Sequence, residues 1–94
     1  MDLLDSEPWS WQLFQSGSDL YLEVLCSHSA ADYLFAIQLD SFERARFKES
    51  GREYLNHLAH EIHYSAPGVK GSRSPYLERR VSDEVAKKIR SAAN

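Results

Sequence analysis

Cysteine is almost absent from this chain of 94 residues, in which Cys26 is the single thiol. One thiol can neither close an internal disulfide nor build a zinc site from cysteines, so the fold must depend on packing. Apolar runs are also short, and none approaches the roughly 18 residues that predict a membrane-spanning helix. A Gly-rich phosphate loop is missing too, because the PGVKGSRS segment lacks the G-x-x-x-x-G-K-[ST] spacing.

Basic residues are missing from the first ten positions, which contain three acidic residues. Secretory signals begin with a basic region, and mitochondrial presequences are rich in arginine. The sequence therefore predicts a cytoplasmic protein that does not associate with a membrane. Hydrophobic residues at 43% and charged residues at 27% argue against disorder, a collagen-like repeat or a coiled coil. The length predicts one domain over residues 1–94.

Charge is distributed unevenly along the chain. Residues 1–69 contain four basic and eleven acidic side chains, a net charge of −7, whereas residues 70–94 have a net charge of +4. An acidic body disfavours nucleic acid as its partner, because nucleic acids attract positive surfaces. The basic end either binds phosphates or is simply attracted to the acidic body.

Alternation of side chains predicts three strands, at 9–14, 20–27 and 33–39. The connections, at QSGSD (15–19) and at 28–32, are too short for a parallel crossover, so the strands should form an antiparallel meander. The YLERRV segment favours a short edge strand at 76–81. The predicted fold class is α+β: a three- to four-stranded antiparallel sheet packed by one long helix, with a short C-terminal helix.

The long helix is predicted over 41–63. Asp40 and Glu43 have the spacing of a capping box, and an apolar stripe follows at Phe47, Gly51, Leu55, Leu58 and Ile62. Gly51 is unfavourable inside a helix, and its position on the stripe favours a close backbone approach to the sheet. A break into two helices at residue 51 is the alternative. A loop is predicted at 64–75 and the C-terminal helix at 82–92.

The predicted sheet has two unequal faces. The long helix should cover the more apolar one, which comprises Trp9, Trp11, Leu13, Leu20, Leu22, Val24, Tyr33, Phe35 and Ile37. The other face is half apolar and comprises Phe14, Tyr21, Glu23, Leu25, Leu34, Ala36 and Gln38. We expect the C-terminal helix to cover this second face; otherwise it is a patch that awaits a partner.

Candidate chemistry is concentrated in NHLAHEIH (56–63), which is not an H-E-x-x-H motif. His57 and Glu61 share a helix face, but too few ligands converge there for a metal site. By alternation Cys26 points into the core, so a dyad with His28 is not expected. The sequence therefore predicts no catalytic residues, no metal site, no cofactor and no enzymatic activity.

Two surfaces remain for a macromolecular partner. The first combines the polar side of the long helix with the second sheet face, at Glu49, Glu53, Asn56, His60, Tyr64, Tyr21 and Glu23. An acidic surface of this kind either serves solubility or docks a basic protein, whose approach it would accelerate. The second is a phosphate-binding set, at Arg73, Arg79, Arg80, Lys87, Lys88 and Arg90.

Several segments together resemble a known class of proteins. They are W-x-L-F at 11–14, LYLEVLCS at 20–27, YLFAIQLDSFE at 33–43 and F-x-x-x-G-x-x-Y-L-x-x-LAHEI at 47–62. Over residues 9–67 the chain resembles small bacterial immunity proteins, such as those of contact-dependent growth inhibition systems. The resemblance implies a cytoplasmic, non-enzymatic antitoxin that neutralises a cognate toxin domain, often a nuclease, by forming a one-to-one complex. The competing hypothesis is a nucleic-acid-associated or regulatory module that uses the basic C-terminal segment.

Overall fold

The computed structural model describes residues 1–28 and 31–93. It contains a four-stranded antiparallel sheet in the order β1 (Asp2–Glu7), β2 (Trp11–Ser16), β3 (Asp19–His28) and β4 (Ala31–Gln38). Each strand pairs with the next along the chain, so the predicted meander and the α+β class are confirmed. The centre of the predicted turn at 28–32 lies outside the described residues.

The first strand was not predicted from the sequence. The segment DLLDSE has no regular alternation, and the pairing of β1 with β2 shifts register between Leu3 and Asp5. Such a bulge and acidic side chains are common in edge strands, where they discourage pairing with other chains. The predicted edge strand at 76–81 is wrong. That segment forms a short 3-10 turn (Leu77–Arg79), and a single bridge joins Arg80 to Ile37 on the outer side of β4.

The single long helix predicted over 41–63 is divided in two. Helix α1 (Ser41–Ser50) starts with the predicted capping box between Asp40 and Glu43, and α2 (Arg52–Tyr64) follows directly. Gly51 separates them with a φ of +62° and a ψ of −139°, a conformation that residues with a Cβ rarely adopt. Apart from its own neighbours in the chain, no heavy atom lies within 4 Å of a Cβ built at this position, so the favoured prediction of close approach to the sheet is wrong.

The first face of the sheet is covered by α2. Leu55, Leu58 and Ile62 pack on Leu22, Phe35 and other strand residues, and all of these side chains are at most 2% exposed. The predicted stripe is thus confirmed in its α2 half, and Phe47 of α1 lies partly buried beside the core. Trp9, which alternation placed on this face, is not part of it.

The C-terminal helix α3 (Asp83–Ala93) packs on the second face, as expected. Ile89 is fully buried there against Phe14, Tyr21 and Ala36. Leu34, on the same face, remains 51% exposed. The second face is therefore covered only in part, and its open part lies between α3 and the turn at residues 7–10.

The segment that leads to α3 is attached by Arg79. Its guanidinium donates hydrogen bonds to both carboxylate oxygens of Glu43 and to the carbonyl oxygen of Gln38. Glu43 is only 5% exposed, and one of its oxygens also accepts the backbone N–H of Asp40. A buried carboxylate needs such compensation, so this ion pair joins the start of α1 to residues 76–81.

Candidate partner-binding surface around Trp9

Trp9 is the most exposed large hydrophobic residue among those described, at 91%. It occupies the tight turn between β1 and β2, where the Ser10 N–H donates to the Glu7 carbonyl oxygen at 3.0 Å. Its φ is +64°, in the left-handed region that favours glycine at the third position of such turns. Holding an indole there costs about 1 kcal/mol, and strain of this kind is concentrated at functional sites.

Arg52, the first residue of α2, links that helix to the end of β1 and the start of this turn. Its Nε lies 2.8 Å from Asp5 Oδ2, and one terminal nitrogen lies 2.8 Å from Glu7 Oε2 and 2.9 Å from the carbonyl oxygen of Ser6. The same guanidinium lies 5.4 Å from the centre of the Trp11 ring. The turn is therefore held by several charged hydrogen bonds, and Trp9 projects from a preorganised base.

On one side of Trp9 lies a depression of about 180 Å³, the sheet cleft. It opens on the uncovered part of the second sheet face, and its lining includes Glu7, Trp9, Gln12, Glu23, Leu25 and Leu34. Gln12 and Glu23 are directly opposite each other on β2 and β3, and Leu25 is opposite Leu34 on β3 and β4. Burial raises the pKa of Glu23, and the charge of Arg90 partly opposes that shift.

On the other side of Trp9 lies the helix cleft, a depression of about 360 Å³ between the turn and α2. Its lining includes Trp9, Leu25, Asp32, Asn56, His60 and His63. Asn56 accepts a hydrogen bond from Trp11 Nε1 at 2.7 Å, and the His60 ring lies 4.8 Å from that of Tyr64. No Lys or Arg belongs to the described lining of either cleft, so carboxylates supply the charge on both sides of Trp9.

The structure brings together only some of the predicted contact residues. Asn56 and His60 line the helix cleft, and Glu23 lines the sheet cleft. Tyr64 is exposed at the end of α2, beside His60. Tyr21 is only 8% exposed and packs with Ile89, so a partner could reach little of it.

Glu49 and Glu53 belong to two different helices and line neither cleft. Glu49, on α1, lies 3.9 Å from Arg46, whereas Glu53, on α2, lines a separate depression with Arg46 and His57. The polar side expected along one continuous helix is therefore interrupted at Gly51.

Sequence reasoning missed Trp9 and Gln12 as candidate contact residues, and it named Leu25 and Leu34 only as members of the second sheet face. The turn was the available signal for Trp9: Pro8 precedes it and Ser10 follows it, and both residue types are common in turns. Alternation with Trp11 outweighed that signal and placed Trp9 in a strand.

The predicted phosphate-binding residues do not form one surface. Arg80, Lys87 and Arg90 line a groove of about 380 Å³ between β4 and α3, which we call the basic groove. Glu23 and Asp83 line the same groove and reduce its positive charge. The guanidinium of Arg79 is already paired with the carboxylate of Glu43. Arg73 and Lys88 lie outside the groove.

The residues considered for catalysis and metal binding are placed apart. Cys26 is fully buried, burial raises the pKa of its thiol, and His28 is exposed at the end of β3. His57 Nε2 lies 3.2 Å from Glu61 Oε1, the predicted pair on one helix face. Within residues 1–28 and 31–93, no group of three or more His, Cys, Asp or Glu side chains has a geometry that could hold a metal ion.

None of the helices in the described part of the chain is long and apolar enough to cross a membrane. Comparison with protein-family models, with curated proteins and with solved structures finds no match to this chain.

Proposed function

We propose that this chain is an immunity protein, which binds a cognate toxin domain of the nuclease class and neutralises it by forming a one-to-one complex. It would act as a cytoplasmic bacterial antitoxin, by binding and without catalysis. The observation that carries the proposal is Trp9, an indole 91% exposed in a strained turn that Arg52 holds in place. Tryptophan is enriched among the residues that dominate binding energies at protein interfaces.

Charge supports the same class of partner. Glu7, Glu23 and Asp32 line the two clefts beside Trp9, and residues 1–69 have a net charge of −7. A nuclease must present positive surface to bind phosphates. An acidic surface with an apolar centre would attract that region by electrostatic steering and then cover it.

The test is to mix the purified protein with the toxin domain encoded by the adjacent upstream gene. We expect a one-to-one complex at micromolar concentration by size-exclusion chromatography and calorimetry, together with loss of the toxin's nuclease activity. Absence of a complex at that concentration would contradict the proposal.

Trp9→Gly separates binding from folding, because glycine accepts a positive φ without strain. We expect its free energy of unfolding to stay within about 1 kcal/mol of the parent, while toxin affinity falls by more than about tenfold. Phe42→Ala is the matched control, since Phe42 is 68% exposed on α1 and lines neither cleft. If the Trp9 variant binds the toxin as tightly as the parent does, the turn is not part of the interface.

A nucleic-acid-binding module is the alternative, favoured by the convergence of Arg80, Lys87 and Arg90 on the basic groove. Phosphate binding of this kind must weaken steeply with salt. If it is the function, the affinity for a labelled oligonucleotide should fall at least tenfold between about 50 and 200 mM salt. The immunity proposal expects no such binding.

A further inference from the structure

We propose that the sheet cleft receives one arginine side chain of the partner protein. The inference rests on the proposed function and specifies its chemistry at the same surface. The cleft measures about 180 Å³, several times the roughly 30 Å³ that one water molecule occupies in the liquid. A depression of this size can receive one long side chain.

The polar lining of the cleft favours a ligand that donates hydrogen bonds. Glu23 offers a carboxylate, and the Oε1 atom of Gln12 is buried without a hydrogen-bond partner among the described residues. These two residues are paired across β2 and β3, so their side chains project from the same face as neighbours. An unsatisfied buried acceptor beside a carboxylate is complementary to a cation with several N–H groups.

Charge in the cleft depends mainly on Glu23. The other carboxylate, Glu7, already accepts from Arg52 at 2.8 Å. Arg90 acts on Glu23 from the basic groove, which Glu23 and Leu34 also line. An incoming cation would therefore meet Glu23 in the cleft that Glu23 and Trp9 line together.

The apolar lining selects arginine over lysine. Leu25 and Leu34 form one wall, which suits an aliphatic stem, and the exposed indole of Trp9 forms the rim. A guanidinium is planar, stacks on aromatic rings and presents several donors in a fixed fork, which suits the Glu23 carboxylate beside Gln12. An ammonium is more strongly hydrated, so its desolvation on entering the cleft would cost more free energy.

The experiment uses N-acetyl-arginine amide as the probe for the full-length protein. The two indole N–H signals are followed by NMR: Trp9 is the exposed reporter, whereas Trp11 also lines the cleft but is 2% exposed, with its N–H bonded to Asn56. We expect a saturable shift of the Trp9 signal in the millimolar range and a smaller one for Trp11. N-acetyl-lysine amide should bind more weakly, and N-acetyl-norleucine amide should not shift the signal.

Glu23→Gln should weaken binding of the arginine probe by about tenfold, since a charged hydrogen bond becomes a neutral one. Gln12→Met should weaken it by about threefold. Glu78→Gln is the control, because Glu78 is exposed and lines neither cleft. Lysine binding as tight as arginine, or an unchanged Glu23 variant, would overturn the inference.

The two proposals can fail separately. If a tight toxin complex forms but is insensitive to Glu23→Gln, and the arginine probe shifts nothing, the immunity function stands and the arginine site is wrong. If no toxin complex forms but the probe binds as expected, the cleft chemistry stands and the immunity assignment falls.

Discussion

The two faces of the sheet are covered to different extents. On the first face Leu13, Leu22 and Ile37 are fully buried beneath α2. On the second face α3 buries Phe14 completely but leaves Leu34 51% exposed. One face thus forms a closed core, whereas the other is partly core and partly open surface.

The lengths of the elements explain the difference. Helix α3 has 11 residues and is about 16 Å long, whereas the 10 residues of β3 extend about 34 Å. Even if it lay lengthwise, α3 could not cover the whole strand. The uncovered end is where Trp9, Leu25 and Leu34 form the sheet cleft. Partial burial of a sheet can therefore stabilise a small domain and still leave an apolar site for a partner.

The largest expected effect distinguishes two neighbours on β4. Phe35 is 1% exposed on the first face, so Phe35→Ala should lower the free energy of unfolding by about 3–5 kcal/mol. Leu34→Ala, on the open part of the second face, should cost less than about 1 kcal/mol. Urea denaturation of both variants measures the difference. Similar losses would show that the second face is as closed as the first.

Docking of α3 is tested by Ile89→Ala. Ile89 is fully buried against Phe14 and Tyr21, so this variant should lose about 2–4 kcal/mol in urea denaturation. Lys88→Ala on the exposed side of the same helix should stay within about 0.5 kcal/mol of the parent. If Ile89→Ala is equally neutral, the second face is open along its whole length.

The connection to α3 is tested by Arg79→Met. Loss of the guanidinium leaves the buried carboxylate of Glu43 without its cationic partner, which should cost about 2 kcal/mol. Arg80→Met is the control. Arg80 is also an arginine, but it is exposed, and its guanidinium lies 5.4 Å from the centre of the Phe35 ring. If thermal unfolding shows that both variants lose the same small amount of stability, the Arg79 ion pair has no structural role.

The smallest effect concerns Glu23 and pH. Burial raises the pKa of Glu23 above its ordinary 4.5, so the folded state favours the protonated form. Its contribution to stability is fully present below about pH 4.5 and is lost as pH rises through the raised pKa. Glu23→Gln should therefore be slightly more stable than the parent at pH 7, by less than about 0.5 kcal/mol, and equal to it near pH 4. Denaturation at both pH values, with Glu78→Gln as the reference, measures this change.

Local patterns predicted much of the fold. The capping box at Asp40 and Glu43 formed as expected, because its two hydrogen bonds involve residues only three positions apart. Alternation identified most of β2, β3 and β4, and it correctly assigned Cys26 to the core. These features depend on neighbours in sequence, which a single chain displays directly.

The candidate site was less predictable, because its decisive residues interrupt the local patterns. Trp9 continued the alternation of Trp11 and Leu13, yet Pro8 and a positive φ lift it out of the sheet. Gly51 interrupted the helical stripe for a conformational reason and not for close packing. The sheet cleft joins Glu7, Glu23 and Leu34, which belong to three different strands or turns.

The amino-acid sequence by itself determined the types of β2, β3, β4 and α3, the capping of α1, the apolar stripe of α2 and the charge difference between the body and the C-terminal segment, because each depends on residues close together in the chain. Tertiary structure alone decided which part of the second face stays open and where Trp9 projects. The physical reason is separation in sequence. The turn is held by Arg52, 45 residues from Glu7, and the coverage of the second face depends on Ile89 packing against distant strands.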